Sequence, residues 1–158
     1  MARLPLWLLV LASAPAIACG PPQTEPKEAP KPVRVTVVVV LASEEDETTN
    51  PKLATLAKEV RKRNDEFVGF RIAATLDKSI AIGKSHTFEL PEKQEARVTV
   101  AQGLDQDGRI EITVRLPGLD DVTYSCICGK FFPIVTPYKL ESGETVLVAI
   151  LAKPCTGK

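Results

Sequence analysis

The sequence predicts an α+β domain of mainly antiparallel strands, a sandwich or half-open barrel of about seven or eight strands carrying one helix. Three observations predict it. Short runs with apolar residues at every second position recur between Gly-, Pro- and Asp-containing turn signals about every ten residues. Two runs, Val37–Val40 and Val146–Leu151, are apolar at every position, as strands covered on both faces are. One stretch, 51–63, has the three-and-four spacing of an amphipathic helix.

The chain opens with a charged start, Met1-Ala2-Arg3, an apolar run from Leu4 to Ala14, and a small-residue exit, Ala16-Ile17-Ala18. That is the pattern of a secretory signal peptide over 1–18, too short for a membrane span of roughly 20 apolar residues. Cys19 comes next. The segment Ala16-Ile17-Ala18-Cys19-Gly20 resembles the bacterial lipobox, with Ala16 where Leu is usual. The resemblance implies that Cys19 is lipidated and becomes the first residue of the mature protein; the plainer reading is simple cleavage at an Ala-x-Ala site. Acyl chains contribute about 0.8 kcal/mol per buried CH₂, so several of them anchor a protein stably. The expected location is the cell envelope, membrane-anchored or otherwise periplasmic or secreted.

Residues 19–32 form a tether. Pro21, Pro22, Pro26, Pro30 and Pro32 alternate with polar residues, without a bulky side chain to bury, which favours an extended polyproline-like segment. The globular domain is expected over 33–158. Val33 to Leu41 begins with alternation and turns apolar on both faces, a central strand. Ser43-Glu44-Glu45-Asp46-Glu47 is read as a solvated loop rather than a cation site, because clustered carboxylates bind an ion only when a turn converges them. Asn50-Pro51 starts the helix as N-cap and first helical residue, and Leu53, Leu56, Ala57 and Val60 make its core stripe. Lys58, Arg61, Lys62 and Arg63 suit its C-terminal dipole, and acids interleaved among them favour a solvated face over a nucleic-acid surface.

Strands follow. Phe70, Ile72, Ala74 and Leu76 alternate with polar neighbours; His86, Phe88 and Leu90 share a face; Ala96, Val98 and Val100 pair with Ile110, Ile112 and Val114 around the turn Asp105–Gly108. Pro117-Gly118 and Gly129-Lys130 turn the chain into Val122–Cys128 and Phe131–Tyr138. Phe70-Arg71, Gly83-Lys84 with Phe88-Glu89-Leu90, the hairpin at Gly108 and the closing Gly143-Glu144-x-Val146-Leu147-x-Ala149-Ile150 resemble a small exported bacterial domain family of unknown function, over roughly 33–152. These are core and turn residues, and no activity comes with the family.

Chemistry is sparse. The formal net charge of 0 becomes −1 when Arg3 is removed, and the sole tryptophan, Trp7, lies in the signal peptide, so a nucleic-acid partner is not expected. A hydrolytic triad would need His86, yet no nucleophile motif accompanies it, and no phosphate-binding loop is present. Asp105-x-Asp107-Gly108 is read as a hairpin turn and not a calcium loop. No catalytic residue, metal or cofactor is expected. The remaining cluster is Cys126, Cys128 and Cys155. Three readings stand: buried free thiols, one disulfide joining Cys155 to Cys126 or Cys128 as an exported protein allows, or a thiolate metal site whose fourth ligand would have to be His86 or a group the sequence does not reveal. The disulfide is preferred, with Cys128 ahead of Cys126 because it borders the Gly129 turn. The functional expectation is a non-catalytic binding or scaffolding module for an envelope protein, held to the membrane through Cys19. The alternative is a metal-handling or thiol-redox protein using the three cysteines.

Overall fold

The computed structural model describes residues 30–155, so the expected signal peptide, Cys19 and most of the tether lie outside the described residues. In chain order these form β1 (Val33–Ser43), a 3-10 turn (Pro51–Leu53) running into α1 (Ala54–Arg61), β2 (Gly69–Ile80), β3 (Ser85–Glu89), β4 (Glu95–Gln102), β5 (Arg109–Leu116), β6 (Leu119–Ile127), β7 (Phe131–Lys139) and β8 (Thr145–Pro154). They make two four-stranded sheets, ordered β2-β1-β8-β7 and β3-β4-β5-β6. Every neighbouring pair is antiparallel. The expected α+β architecture, antiparallel strands with one helix, forms as two sheets packed over one core.

β1 and β8 are central because both faces of each are covered. Val33, Val35, Val37, Val39 and Leu41 look into the sandwich and share its core with Val98, Val100, Ile110, Ile112 and Val114, all at 3% exposure or less. Burial of each such side chain contributes about 1.5–3 kcal/mol. The alternate residues Val38, Val40 and Ala42 point out, in register with Ala149, Leu147 and Thr145 of β8. There Val40 and Leu147 pack in a second core with Leu53, Ala57 and Val60 of the helical segment. The apolar run Val37–Val40, which would promote aggregation if exposed, is thus buried on both faces.

The helix starts as its sequence requires. The Asn50 side chain accepts a hydrogen bond from the Lys52 amide at 3.0 Å, and Pro51 occupies the first turn, where its missing N–H costs nothing. It stops earlier than the spacing suggests. The Arg63 and Asn64 amides both close on the Val60 carbonyl, at 3.0 and 2.9 Å, so Lys62 and Arg63 belong to a terminal turn. Arg61 is structural: its Nε donates to the Phe67 carbonyl at 3.0 Å and its guanidinium lies 5.1 Å from the Phe70 ring centre. Arg61 thus serves the fold, while Lys58, Lys62 and Arg63 are exposed.

Two tight connections, Ala81–Lys84 and Cys128–Lys130, carry the chain between sheets, and Gly129 takes a φ of 74° that lets the second of them turn. Because β8 runs antiparallel beside β1, both described ends emerge together, and the Cys155 amide donates to the Pro32 carbonyl at 2.9 Å. At the opposite end the acidic loop lies against the start of β2. A Cβ on Gly69 would fall 1.7 Å from the Asp46 carbonyl oxygen. Gly69→Ala must therefore displace that loop and is expected to cost about 3 kcal/mol, measured as a lowered urea midpoint with an unchanged m-value.

Candidate functional site

The residues singled out by type do not converge. His86 is half-buried on β3, its ring edge-on to Phe88 with centres 4.9 Å apart, a packed residue. In the acidic loop, Glu44 reaches Lys139 at 2.7 Å. Hydrogen bonds from Thr48 hold the Asp46 carboxyl below its ordinary value. Asp105 accepts from the Asp107 and Arg109 amides at 3.0 and 2.7 Å, the turn role expected of it. Among the described residues, no three His, Cys, Asp or Glu side chains are arranged to hold a metal ion.

The cysteines divide. Cys126, Cys128 and Cys155 are free thiols, where the sequence led to the expectation of a disulfide from Cys155 to Cys128 or Cys126. Cys126 points into the core opposite Ile110, 2% exposed, and burial pushes its thiol up to about 11. A thiol with that value stays protonated near neutral pH and is a poor nucleophile. Cys128 and Cys155 are half-buried and line one cleft of about 640 Å³ with Arg34, Ser79, Lys153 and Pro154.

The concave feature of better-defined chemistry lies on the outer face of the β2-β1-β8-β7 sheet. The helix covers the rows toward the end of β1, including Ile72, Val40, Leu147 and Val135. The next row, Thr75, Val38, Ala149 and Pro133, stands side by side across the four strands. With strands about 4.8 Å apart this row gives roughly 14 Å of floor. It floors a groove of about 500 Å³ walled by Leu53 and Leu56 on the helical side and by Phe131 on β7. A second depression, about 480 Å³, continues past Glu59 and Pro133 toward Val60, Tyr124, Phe132 and Ile134. Phe131 forms the ridge between them and is 49% exposed, a large aromatic side chain that the fold does not bury.

The rim is charged. Glu59 is paired with Lys62 at 2.7 Å, which holds its carboxyl below the ordinary value. Lys52 and Lys130, at opposite walls of the groove, have no hydrogen bond or ion pair to their ammonium groups among the described residues. An apolar trough with two uncompensated cations is a surface for an apolar segment flanked by carboxylates. Its lining offers the hydroxyls of Thr55 and Thr75 and the Glu59 carboxylate, with no imidazole or thiol. Known protein families, curated proteins and solved structures give no match to this chain.

Sequence reasoning passed over Phe131. The available signal was the pair Phe131-Phe132 at the start of a strand, where consecutive side chains point to opposite faces and one of them must leave the core. Phe132 packs inward, 4.8 Å from the Tyr124 ring, and Phe131 turns out. For the thiols, the burial of Cys126 sets an expectation. In the folded, reduced protein at pH 8 Cys128 and Cys155 react with a water-soluble disulfide reagent, while Cys126 reacts at least a hundredfold more slowly, read as the stoichiometry of fast and slow thiol phases.

Proposed function

We propose that this protein is an exported, lipid-anchored and non-catalytic binding module of the bacterial cell envelope. We further propose that the groove beside the helix takes an apolar segment of an envelope protein carrying carboxylates at its flanks. One observation carries the reading: Phe131 stands half-exposed at the wall of an apolar groove whose rim holds the ammonium groups of Lys52 and Lys130, unpaired among the described residues. Ordinary surfaces scatter single apolar side chains; a continuous trough rimmed by charge is what docking sites use. A face fits better than the neighbouring edge, since Pro133 and Pro137 in β7 leave that edge short of ladder donors. The tether, fully extended at about 3.1 Å per residue, gives the domain a reach of roughly 40 Å from a lipid on Cys19. The thiol-redox alternative draws its support from Cys128 and Cys155 alone, because Cys126 is withdrawn into the core.

The groove is tested by placing a photo-crosslinking residue at Phe131, or at Thr123 on the other sheet, and irradiating cells of the native host. A discrete protein adduct is expected from position 131 and not from 123. Its yield falls roughly tenfold, about 1.4 kcal/mol, when Lys52→Glu and Lys130→Glu are combined. Phe131→Ala is the folding control and changes stability by no more than about 0.5 kcal/mol. Equal labelling at both positions, or indifference to charge reversal, excludes the groove. The anchor is tested separately by intact-mass spectrometry of detergent-extracted protein. The mass expected is that of residues 19–158 plus acyl groups, and the bare polypeptide mass removes lipidation.

A further inference from the structure

The end of the sandwich where the chain emerges holds two thiols that the groove does not use. Cys128 sits in the turn from β6 to β7, closed by the Lys130 amide on the Ile127 carbonyl at 3.1 Å. The next residue, Gly129, donates to the Ala152 carbonyl at 3.0 Å, which sets this turn against the end of β8. Cys155 follows β8 directly, and one ladder hydrogen bond, from its amide to Pro32, ties it to β1. Both side chains are half-buried walls of the same cleft, whereas Cys126 is enclosed in the core at 2% exposure.

We infer that oxidation joins Cys128 to Cys155 and leaves Cys126 as a buried thiol. In the reduced protein the Cys155 sulfur lies 3.4 Å from the Ser79 hydroxyl, so bridging swings it off Ser79 and past Pro154 toward the turn. The movement is confined to the residue that follows β8, held by that ladder bond and the Ser79 contact. The two thiols lose two electrons and two protons. A small-molecule or protein disulfide accepts them and leaves as two thiols, passing through a mixed disulfide on one of the cysteines. The product is a strap across a loop of roughly 27 residues. It fastens the inter-sheet corner to the strand beside which the tether enters, so tension along the tether is shared with both sheets.

The inference rests on the cleft and not on export, so purified protein equilibrated with oxidised glutathione is the test. Non-reducing peptide mapping with fragmentation is expected to find Cys128 linked to Cys155 and Cys126 free for alkylation after unfolding. Reduction should lower the melting temperature by roughly 10 °C. Cys126→Ala keeps both the link and that shift; Cys128→Ser and Cys155→Ser each abolish both. A Cys126–Cys155 or Cys126–Cys128 link overturns the assignment. So do separate glutathione adducts on Cys128 and Cys155, or three free thiols, and because mapping uses the unmutated chain these outcomes stand even if a variant fails to fold.

Discussion

The side-by-side pairing of β1 and β8 is the constraint from which the rest of the molecule follows. Ten consecutive residue pairs, Val33↔Pro154 through Ala42↔Thr145, run without a register break. Most are β-branched or aliphatic on both faces. A one-residue slip would exchange the two faces of β8, presenting Leu147, Ala149 and Leu151 to the sandwich in place of Val146, Val148 and Ile150. Since both sets are apolar, polarity alone does not forbid the slip. The ends do: a slipped β8 would place Lys153 in the interior, where Ala152 is fully buried, and would separate the Cys155 amide from Pro32. Register in this doubly apolar centre is thus enforced from its margins.

The same pairing explains why a groove exists. A sheet apolar on its outer face needs a second layer. The connection between β1 and β2 supplies only the 3-10 turn and the eight residues of α1, about 12 Å of α-helix at 1.5 Å per residue. β1 and β2 continue well past it. From the helix margin outward the rows grade from apolar to polar: Thr75–Val38–Ala149–Pro133, then Asp77–Thr36–Leu151–Phe131, then Ser79, Arg34 and Lys153. The Thr36 hydroxyl donates to Asp77 in the middle row, so that side of the face needs no cover. On the β8–β7 side Leu151 adjoins Phe131, the half-exposed aromatic residue that walls the groove at this margin.

Much of this architecture is legible in sequence because period-two and period-three-to-four patterns are local. The strands, the Asn50-Pro51 start and the turns at Gly108 and Gly118 all follow from near neighbours in the chain. The long-range parts are not local. Nothing near Glu92 announces that it and Lys93 take positive φ values of 56° and 59°. Nor does sequence reveal that the Glu92 carboxylate spans the two sheets to accept from the Tyr138 hydroxyl and, at 2.8 Å, from the Glu141 amide. The backbone strain between β3 and β4 is held in place by a clasp from residues more than forty positions away. Likewise Cys126 and Cys128, equivalent by strand alternation, differ in burial because β6 ends at Ile127: Cys126 lies in the core and Cys128 in the turn at its margin. The groove was the least legible feature, because it is defined by where the helix stops covering the sheet.

The two ends of the sandwich are therefore secured differently. At the far end, Glu92 joins the two sheets through Tyr138 and the β7–β8 turn, while Arg71 with Glu144 at 2.6 Å and the acidic-loop backbone over Gly69 brace the β2-β1-β8-β7 sheet. Arg71 also holds the Glu144 carboxyl below its ordinary value of 4.5. That clasp stabilises the fold fully above that value and fades as pH falls through the lower, folded-state one. At the near end the ladder closes where the Cys155 amide donates to the Pro32 carbonyl at 2.9 Å, with the Ser79 hydroxyl 3.4 Å from the Cys155 sulfur. A covalent strap between Cys128 and Cys155 would join this end of β8 to the turn from β6 to β7, so that the crossing between the sheets and the last strand of one of them are tied at a single corner.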